Sequence, residues 1–414
     1  LSDTVVNMGC RLNIHEGEVV RAHLAAAGGN RERVVVNSCA VTSEAVRQTR
    51  QAVRRLARER PDAEIVVTGC AAQIEPDMFR AMPQVARVVG NHDKLNPESW
   101  RRGAPADIVG DIMRVRETAP HMVQAMEGHA RAFVEVQNGC DHRCTFCIIP
   151  QGRGNSRSVP AGLVVERVRQ LVSAGHGEVV LTGVDLTSYG PDLPGAPTLG
   201  SLVRRLLTHV PGLRRLRLSS LDSIEADEEL IDLICSEPRL MPHLHLSLQS
   251  GDDMILKRMK RRHSRSDAVR FVERVKARRP DIAIGADIIA GFPTETPAMF
   301  ENSLKLIADC DIVLGHIFPY SPRSGTPAAR MPQVPAAERK ARAKTLRAAT
   351  AARRNQWFDR LIGQDVRVLA EGAGDRGHAE DFAPVQLDPP APRGSIVTAR
   401  VTGHDGARLI ASRA

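Results

Sequence analysis

Six of the eight cysteines fall into two sets of three. Cys140, Cys144 and Cys147 stand as C-x3-C-x2-C in GCDHRCTFCIIP, while Cys10, Cys39 and Cys70 are dispersed. Thiolates suit zinc or iron–sulfur centres. Three thiolates on a four-iron cluster leave one iron open, and an open iron is a place for chemistry. The count therefore predicts an enzyme rather than an electron carrier. Zinc would want a fourth ligand close by. His142 is one, though it is squeezed between two cysteines. For the dispersed set the plain alternative is three buried structural thiols, since free cysteine is often buried. Cys235 and Cys310 match no motif and read as core or surface residues.

The elements that must position these residues alternate strand and helix. TVVNM, RVVVN and EIVVTG are short β-rich runs, with helical stretches over 16–28 and 43–60 between them. Such alternation implies a parallel sheet. Cys10, Cys39 and Cys70 each follow a strand by one or two residues, so all three can converge beyond the carboxyl ends of the strands, where open α/β sheets bind ligands. A Pro-, Gly- and His-bearing stretch over about 95–130 reads as a linker. The pattern restarts at RAFVEVQ, just before Cys140, and continues through EVVLTG, LRRLRLS, HLHLSL, IAIGADIIAG and DIVLGHIF. Six β/α units predict a barrel or partial barrel with its catalytic loops at the carboxyl ends of the strands. A charged helix over about 335–362 follows. QDVRVLA, FAPVQL, GSIVTARVTG and ARLIAS then predict a small OB-like β-barrel.

The chain has 414 residues, a net charge of +9 and only 3% aromatic residues. Positive charge favours a polyanionic partner, and scarce aromatics argue against broad base-stacking surfaces. Residues 257–279 hold eleven Lys or Arg against two acids, and 323–360 hold ten against two. Phosphate neutralisation by such stretches is salt-dependent; a solvated helix face is the plainer reading of any single arginine. There is no run of eighteen apolar residues, so no membrane span is expected. The start, LSDTVVNMGC, shows no basic region followed by an apolar one, so no signal peptide is expected. A cytoplasmic protein follows, in which clustered cysteines bind metal or react rather than pair.

The residue before the third cysteine is aromatic, Phe146. The compact motif, placed after a first barrel strand, resembles that of the radical S-adenosylmethionine (SAM) superfamily. GCRLN, NSCAVT, TGCAAQ, GCDHRCTFCIIPQGRGNSRS, SLQSGDDMILKRMKR, GFPTETPAMF and PYSPRSGTPA together resemble the methylthiotransferase family. GHAEDFAPVQL resembles its C-terminal TRAM domain. The resemblance covers nearly the whole chain. It implies an N-terminal methylthiotransferase α/β domain over 1–115, a radical SAM domain with a partial (β/α)6 barrel over 126–345, and a linker helix with the TRAM domain over 346–414. It implies two 4Fe–4S clusters, one on Cys140, Cys144 and Cys147 and an auxiliary one on Cys10, Cys39 and Cys70. SAM then chelates the open iron of the first, and one electron cleaves it to methionine and a 5′-deoxyadenosyl radical.

By the same resemblance the LTGVDLTSYG segment, with Thr182 and Gly183, contacts the methionyl end of SAM, and Phe146 belongs to the cofactor site; Gln249 and Asp287 sit where barrel strands would present polar groups to SAM or substrate. Gly183 would let backbone approach a ligand. Asp185 and Tyr189 read equally as a plain turn, and Ser250 and Gly291 as neighbours of the SAM or substrate groups. Asp287 reads equally as a barrel-interior residue paired with an arginine. Arg367, Arg393 and Arg400 would touch phosphate. CRLN from Cys10 and CAVTSEAVRQTRQAVRR from Cys39 place the chain nearest the branch that acts on N6-threonylcarbamoyladenosine at tRNA position 37. The implied partners are the tRNA anticodon stem-loop, a flavodoxin-like or similar electron donor, and a sulfur source. Methylthiolation of isopentenyl-adenosine in tRNA, or of a ribosomal-protein aspartate, are the alternatives within the family. A non-catalytic iron–sulfur or zinc protein that binds RNA is the alternative outside it.

Overall fold

A computed structural model of the chain describes residues 3–29, 31–101, 103–117 and 129–413. Its first unit is a parallel sheet of five strands in the order β1 (Thr4–Asn7), β2 (Arg33–Ser38), β3 (Glu64–Gly69), β4 (Arg87–Val89) and β5 (Asp107–Ile108). Val34, Val35 and Val36 are all fully buried, as expected of a parallel strand covered on both faces. The helices between are α1 (Arg11–Ala27), α2 (Ser43–Glu59), α3 (Cys70–Ile74) and α4 (Pro76–Arg80). Helix α1 begins five residues earlier than its periodicity suggests, directly after Cys10. Amphipathic α2 buries Val46, Val53 and Leu56 and starts at a Thr42 cap.

The expected linker is shorter than its composition implies. Residues 95–101 and 103–108 fold onto the first sheet: Trp100 is fully buried, donates its indole N–H to the Lys94 carbonyl at 2.7 Å, and precedes β5. Of the rest of that stretch, residues 118–128 lie outside the described residues.

The second unit holds β6 (Ala132–Glu135), β7 (Gln137–Asn138), α5 (Ile149–Arg153), β8 (Arg157–Ser158), α6 (Ala161–Ser173), β9 (Glu178–Thr182), α7 (Leu199–His209), β10 (Arg215–Leu218), β11 (Ser220–Leu221), α8 (Glu228–Ser236), β12 (His243–Gln249), α9 (Asp253–Met259), α10 (Arg265–Arg278), β13 (Ala283–Ala290), α11 (Pro297–Asp309) and β14 (Ile312–Pro319). β6, β9 and β10 pair in parallel, and so do β11, β12, β13 and β14. Ser219 separates β10 from β11, so one interrupted strand joins the two sheets into the expected six-stranded partial barrel. α12 (Ala336–Leu361) packs on β14 and leads into the tail.

That tail is a closed barrel of β15 (Asp365–Glu371), β16 (Arg376–His378), β17 (Pro384–Asp388), β18 (Ile396–His404) and β19 (Leu409–Arg413). It docks at the start of the central strands. Arg217 donates to the Ala379 and Glu380 carbonyls at 3.2 and 2.9 Å, and Arg215 to the Arg367 carbonyl at 2.8 Å. Among the described residues, no helix is long and apolar enough to cross a membrane.

Candidate active site

β1, β2 and β3 are neighbours, so the residues just past their carboxyl ends meet. Cys39 and Cys70 are the first residues after β2 and β3, and Cys10 stands three past β1. Cys10 and Cys70 both act electrostatically on Cys39, whose thiol burial pushes up to about 11. Gly9 adopts φ +88°, and a methyl there would lie 2.7 Å from Cys39 Sγ. The turn that delivers Cys10 thus has room for glycine only. Asn91 Nδ2 sits 3.6 Å from Cys70 Sγ.

The compact loop joins β7 to α5. Its thiols also feel one another, and burial pushes Cys147 up to about 12 and Cys140 higher still. Thr145 anchors the loop to the end of α9: its N–H donates to the Met259 carbonyl at 3.1 Å and its hydroxyl to the Arg258 carbonyl at 2.8 Å. Arg261 Nη1 lies 3.8 Å from Cys144 Sγ, and its Nη2 is 2.6 Å from Asp222. His142 sits beside Cys140, its Nε2 2.7 Å from Asp185 Oδ2, which in turn lies 3.7 Å from Cys140 Sγ.

The donor chemistry of both sets, three thiols each, suits multinuclear iron, and their spacing does not suit a single zinc. A tetrahedral zinc with bonds of about 2.3 Å needs its sulfurs within about 4 Å of one another. Among the described residues, the groups of ligand atoms that close to 4.8 Å are Cys140–His142–Asp185 and His245–Asp287–His316, and neither thiol triplet is among them. The buried thiols prefer to be neutral, so a bound metal must supply the charge that ionises them.

A cavity of about 170 Å³ lies between the two cysteine loops. Val41 and Thr42, just past Cys39, form one wall. Phe146, Gln249, Asp287, Phe318 and Tyr320 form the other. Thr42, Phe318 and Tyr320 also line a groove of about 570 Å³ that continues past Gln48 and Lys340. Gln48 in turn borders a groove of about 580 Å³ on α2, lined by Arg54, Arg55 and Arg58. Sequence reading did not assign this arginine face.

The other expected residues divide. Gln249 holds the left-handed conformation, φ 66°, at the end of β12 and reaches the cavity. Asp287 does so too, and its partners are two histidines rather than an arginine: His245 Nε2 at 3.0 Å and His316 Nδ1 at 3.5 Å. Burial alone would raise that carboxyl, but these imidazoles hold it well below the usual range. Thr182 ends β9 and is buried. Gly183 lies against Gln137, whose Oε1 accepts the next two backbone N–H groups at 3.0 and 2.9 Å. The close approach there is to a side chain of this chain. Tyr189 is a buried turn residue that donates to the Val159 carbonyl at 2.9 Å. Ser250 is buried against Ser303, and Gly291 packs on Arg339. Cys310 is buried and Cys235 half-buried against the barrel core.

The basic stretches also divide. Eight of the eleven cations of 257–279 are ion-paired within the chain, so that segment is mostly neutralised. Arg367 pairs with Glu380 and Arg400 with Asp365, whereas Arg393 has no carboxylate partner among the described residues.

Sequence reading missed the residues that bind the two units together. Glu16 on α1 is buried between Lys94 Nζ at 2.8 Å and Arg153 Nη1 at 2.8 Å. Burial would raise its carboxyl, but Arg153 and Lys94 hold it down at about 2. Lys94 also donates to Asn91 at 2.6 Å, and Asn91 to the Gly152 carbonyl at 2.7 Å. A fully buried lysine at the edge of an expected linker gives no periodic signal.

Comparison with known proteins agrees with this geometry. Residues 134–307 match the radical SAM superfamily, and residues 4–90 match a family described as uncharacterized protein family UPF0004. The threonylcarbamoyladenosine tRNA methylthiotransferase MtaB of Rickettsia prowazekii is 51% identical over 97% of this chain and 95% of its own. MtaB of Thermotoga maritima is 35% identical over 89% and 86%. A tRNA-2-methylthio-N(6)-dimethylallyladenosine synthase of Cereibacter sphaeroides is 34% identical over 98% and 97%. Among solved structures, the radical SAM methyltransferase TsrM of Kitasatospora setae shares the fold, with a TM-score of 0.52 and 16% identity over 75% of this chain and 66% of that one. Cysteine loops from a sheet domain and a partial barrel border one cavity, and a near-full-length relative is 51% identical: the chain belongs to the radical SAM methylthiotransferase family.

Proposed function

We propose that this enzyme replaces the C2 hydrogen of N6-threonylcarbamoyladenosine in the tRNA anticodon loop, at position 37, with a methylthio group. The cavity walled by residues from both cysteine loops carries the reading, because sulfur insertion needs both centres to reach one carbon. Its relatives named MtaB carry more identity than those named for dimethylallyladenosine. When bound, two 4Fe–4S clusters and SAM supply one-electron cleavage of SAM and hold the sulfur that is transferred. Cys140, Cys144 and Cys147 would hold one cluster and Cys10, Cys39 and Cys70 the other. Phe146, Thr182, Gly183, Gln249 and Asp287 would border SAM and the base.

The protein's own work is positional. Phe146, Phe318 and Tyr320 exclude water, and Gln249 and Asp287 offer polar groups at the strand ends. The functional division follows residues 1–115, 126–345 and 346–414. The Arg54–Arg55–Arg58 groove gives phosphate a track leading towards the cavity. A splayed anticodon-loop base suits such a site. The electron comes from a flavodoxin-like or similar donor, the sulfur from a separate source, and the work is cytoplasmic.

Nucleoside analysis of tRNA from a deletion strain tests the substrate. The methylthiolated threonylcarbamoyl nucleoside should vanish and its unmodified precursor accumulate. Loss of the dimethylallyl product instead would overturn the assignment.

A further inference from the structure

Arg11 follows the ligand Cys10 and opens α1, yet its side chain reaches the interior of the central barrel. Its Cζ lies 5.6 Å from the ring centre of Phe382, which the tail barrel supplies. Arg131 and Arg217 crowd the same ring at 5.1 and 4.9 Å. Those two have anions. Arg217 grips Glu178 at 3.0 and 3.1 Å, and Arg131 pairs with Glu178 and Glu371. Arg11 has none: among the described residues it makes no ion pair and donates no hydrogen bond. Glu178 and Asp287 are within electrostatic reach, but Glu178 is engaged by Arg131 and Arg217, and Asp287 by His245 and His316.

A half-buried guanidinium that reaches the barrel interior without an anion of its own is free to take one from a ligand. Its planar fork matches a carboxylate best. Arg11 also stands between the auxiliary cysteine set, through its backbone, and Asp287 of the cavity wall, through its charge. This argument rests on the substrate proposed above. A threonylcarbamoyl group is threonine joined through its nitrogen, so its carboxylate stays free, whereas a dimethylallyl group carries no anion.

We propose that Arg11 receives the carboxylate of the substrate's threonyl group in the barrel interior and sets the preference for N6-threonylcarbamoyl over N6-alkyl adenosine. A neutral alkyl group would leave the guanidinium bare, and a site built for a polar group discriminates strongly against ligands that lack it.

The test uses the reconstituted full chain and two anticodon hairpins, one with threonylcarbamoyladenosine and one with its carboxylate converted to a carboxamide. The wild type should prefer the carboxylate by roughly 10- to 100-fold in kcat/KM, mainly through KM. Arg11→Gln, compared per iron-replete chain, should level the two hairpins to within about threefold, and Arg11→Lys should restore part of the preference. An undiminished preference in Arg11→Gln overturns the proposal, as does a wild type that treats both hairpins alike. If Arg11→Gln loses its iron, Phe382→Leu takes its place: it removes the ring on which Arg11 rests, far along the chain from Cys10. It should lower the preference, and an unchanged preference counts against the proposal. A wild type inactive on both hairpins but active on a dimethylallyl hairpin overturns the substrate reading, and this proposal with it.

Discussion

Arg153 clasps Glu16 with both ends of its guanidinium, Nη1 at 2.8 Å from Oε1 and Nη2 at 3.1 Å from Oε2. One residue closes the helix after the compact cysteine loop, and the other lies on the helix that starts at Cys10. The pair therefore sets the spacing between the two cysteine sets. Glu16→Gln leaves Arg153 and Lys94 buried without their anion and should cost about 3–5 kcal/mol. Chemical denaturation measures the loss. A midpoint equal to the wild type would show that the pair does not hold the units together.

The two cysteine sets should separate by spectroscopy and chemistry. Alanine at Cys10, Cys39 and Cys70 should lower iron from about eight to about four per chain and abolish methylthiolation, while reductive SAM cleavage survives. Alanine at Cys140, Cys144 and Cys147 should abolish both. SAM cleavage by the second variant would reverse the assignment of the sets.

Acid should loosen the joint between the first sheet and the barrel. His15 donates through Nδ1 to the Phe133 carbonyl of β6 at 3.0 Å, and burial, aided by Arg167, lowers its imidazole to about 4. The unfolded imidazole titrates near 6.5, so between those values the unfolded state binds more protons. This stabilising contribution is complete above pH 6.5 and falls by about 1.4 kcal/mol per unit as the pH drops towards 4. The wild type should lose more stability than His15→Gln between pH 7 and pH 5. Parallel losses would place the sensitivity elsewhere.

Gly139→Ala should collapse the compact loop. Gly139 has φ +73°, and a methyl there would lie 1.9 Å from the Asn155 carbonyl oxygen. The next residue, Cys140, donates its N–H to the Gly154 carbonyl at 3.1 Å, so displacing either segment moves a thiol of the compact set. A destabilisation of at least about 2 kcal/mol is expected, with loss of about half the bound iron. Full iron content and wild-type stability would contradict the geometry.

The six thiols and the parallel frame were legible because each depends on local pattern. Valine runs mark strands, and a cysteine one step beyond a strand lands on the sheet's ligand edge. Glu16, Lys94 and Arg153 were not legible. Their charges imply exposure when read singly, and only the fold shows three such residues neutralising one another in the interior. The basic run 257–279 misleads for the opposite reason: its partners, such as Glu228 and Asp309, lie on other helices, so a segment that looks polycationic is mostly balanced. Arg54, Arg55 and Arg58 read as the solvated side of an amphipathic helix until the groove beneath them is seen.

Phe382 belongs to the tail barrel yet rests among Arg11, Arg131 and Arg217 and stacks on His243 at 4.8 Å. The tail is therefore the plug at the amino end of the central barrel as well as an appendage. Exchanging C-terminal barrels between relatives would transplant that plug. Such chimaeras should change which modified base is accepted, and not merely how tightly the RNA is held.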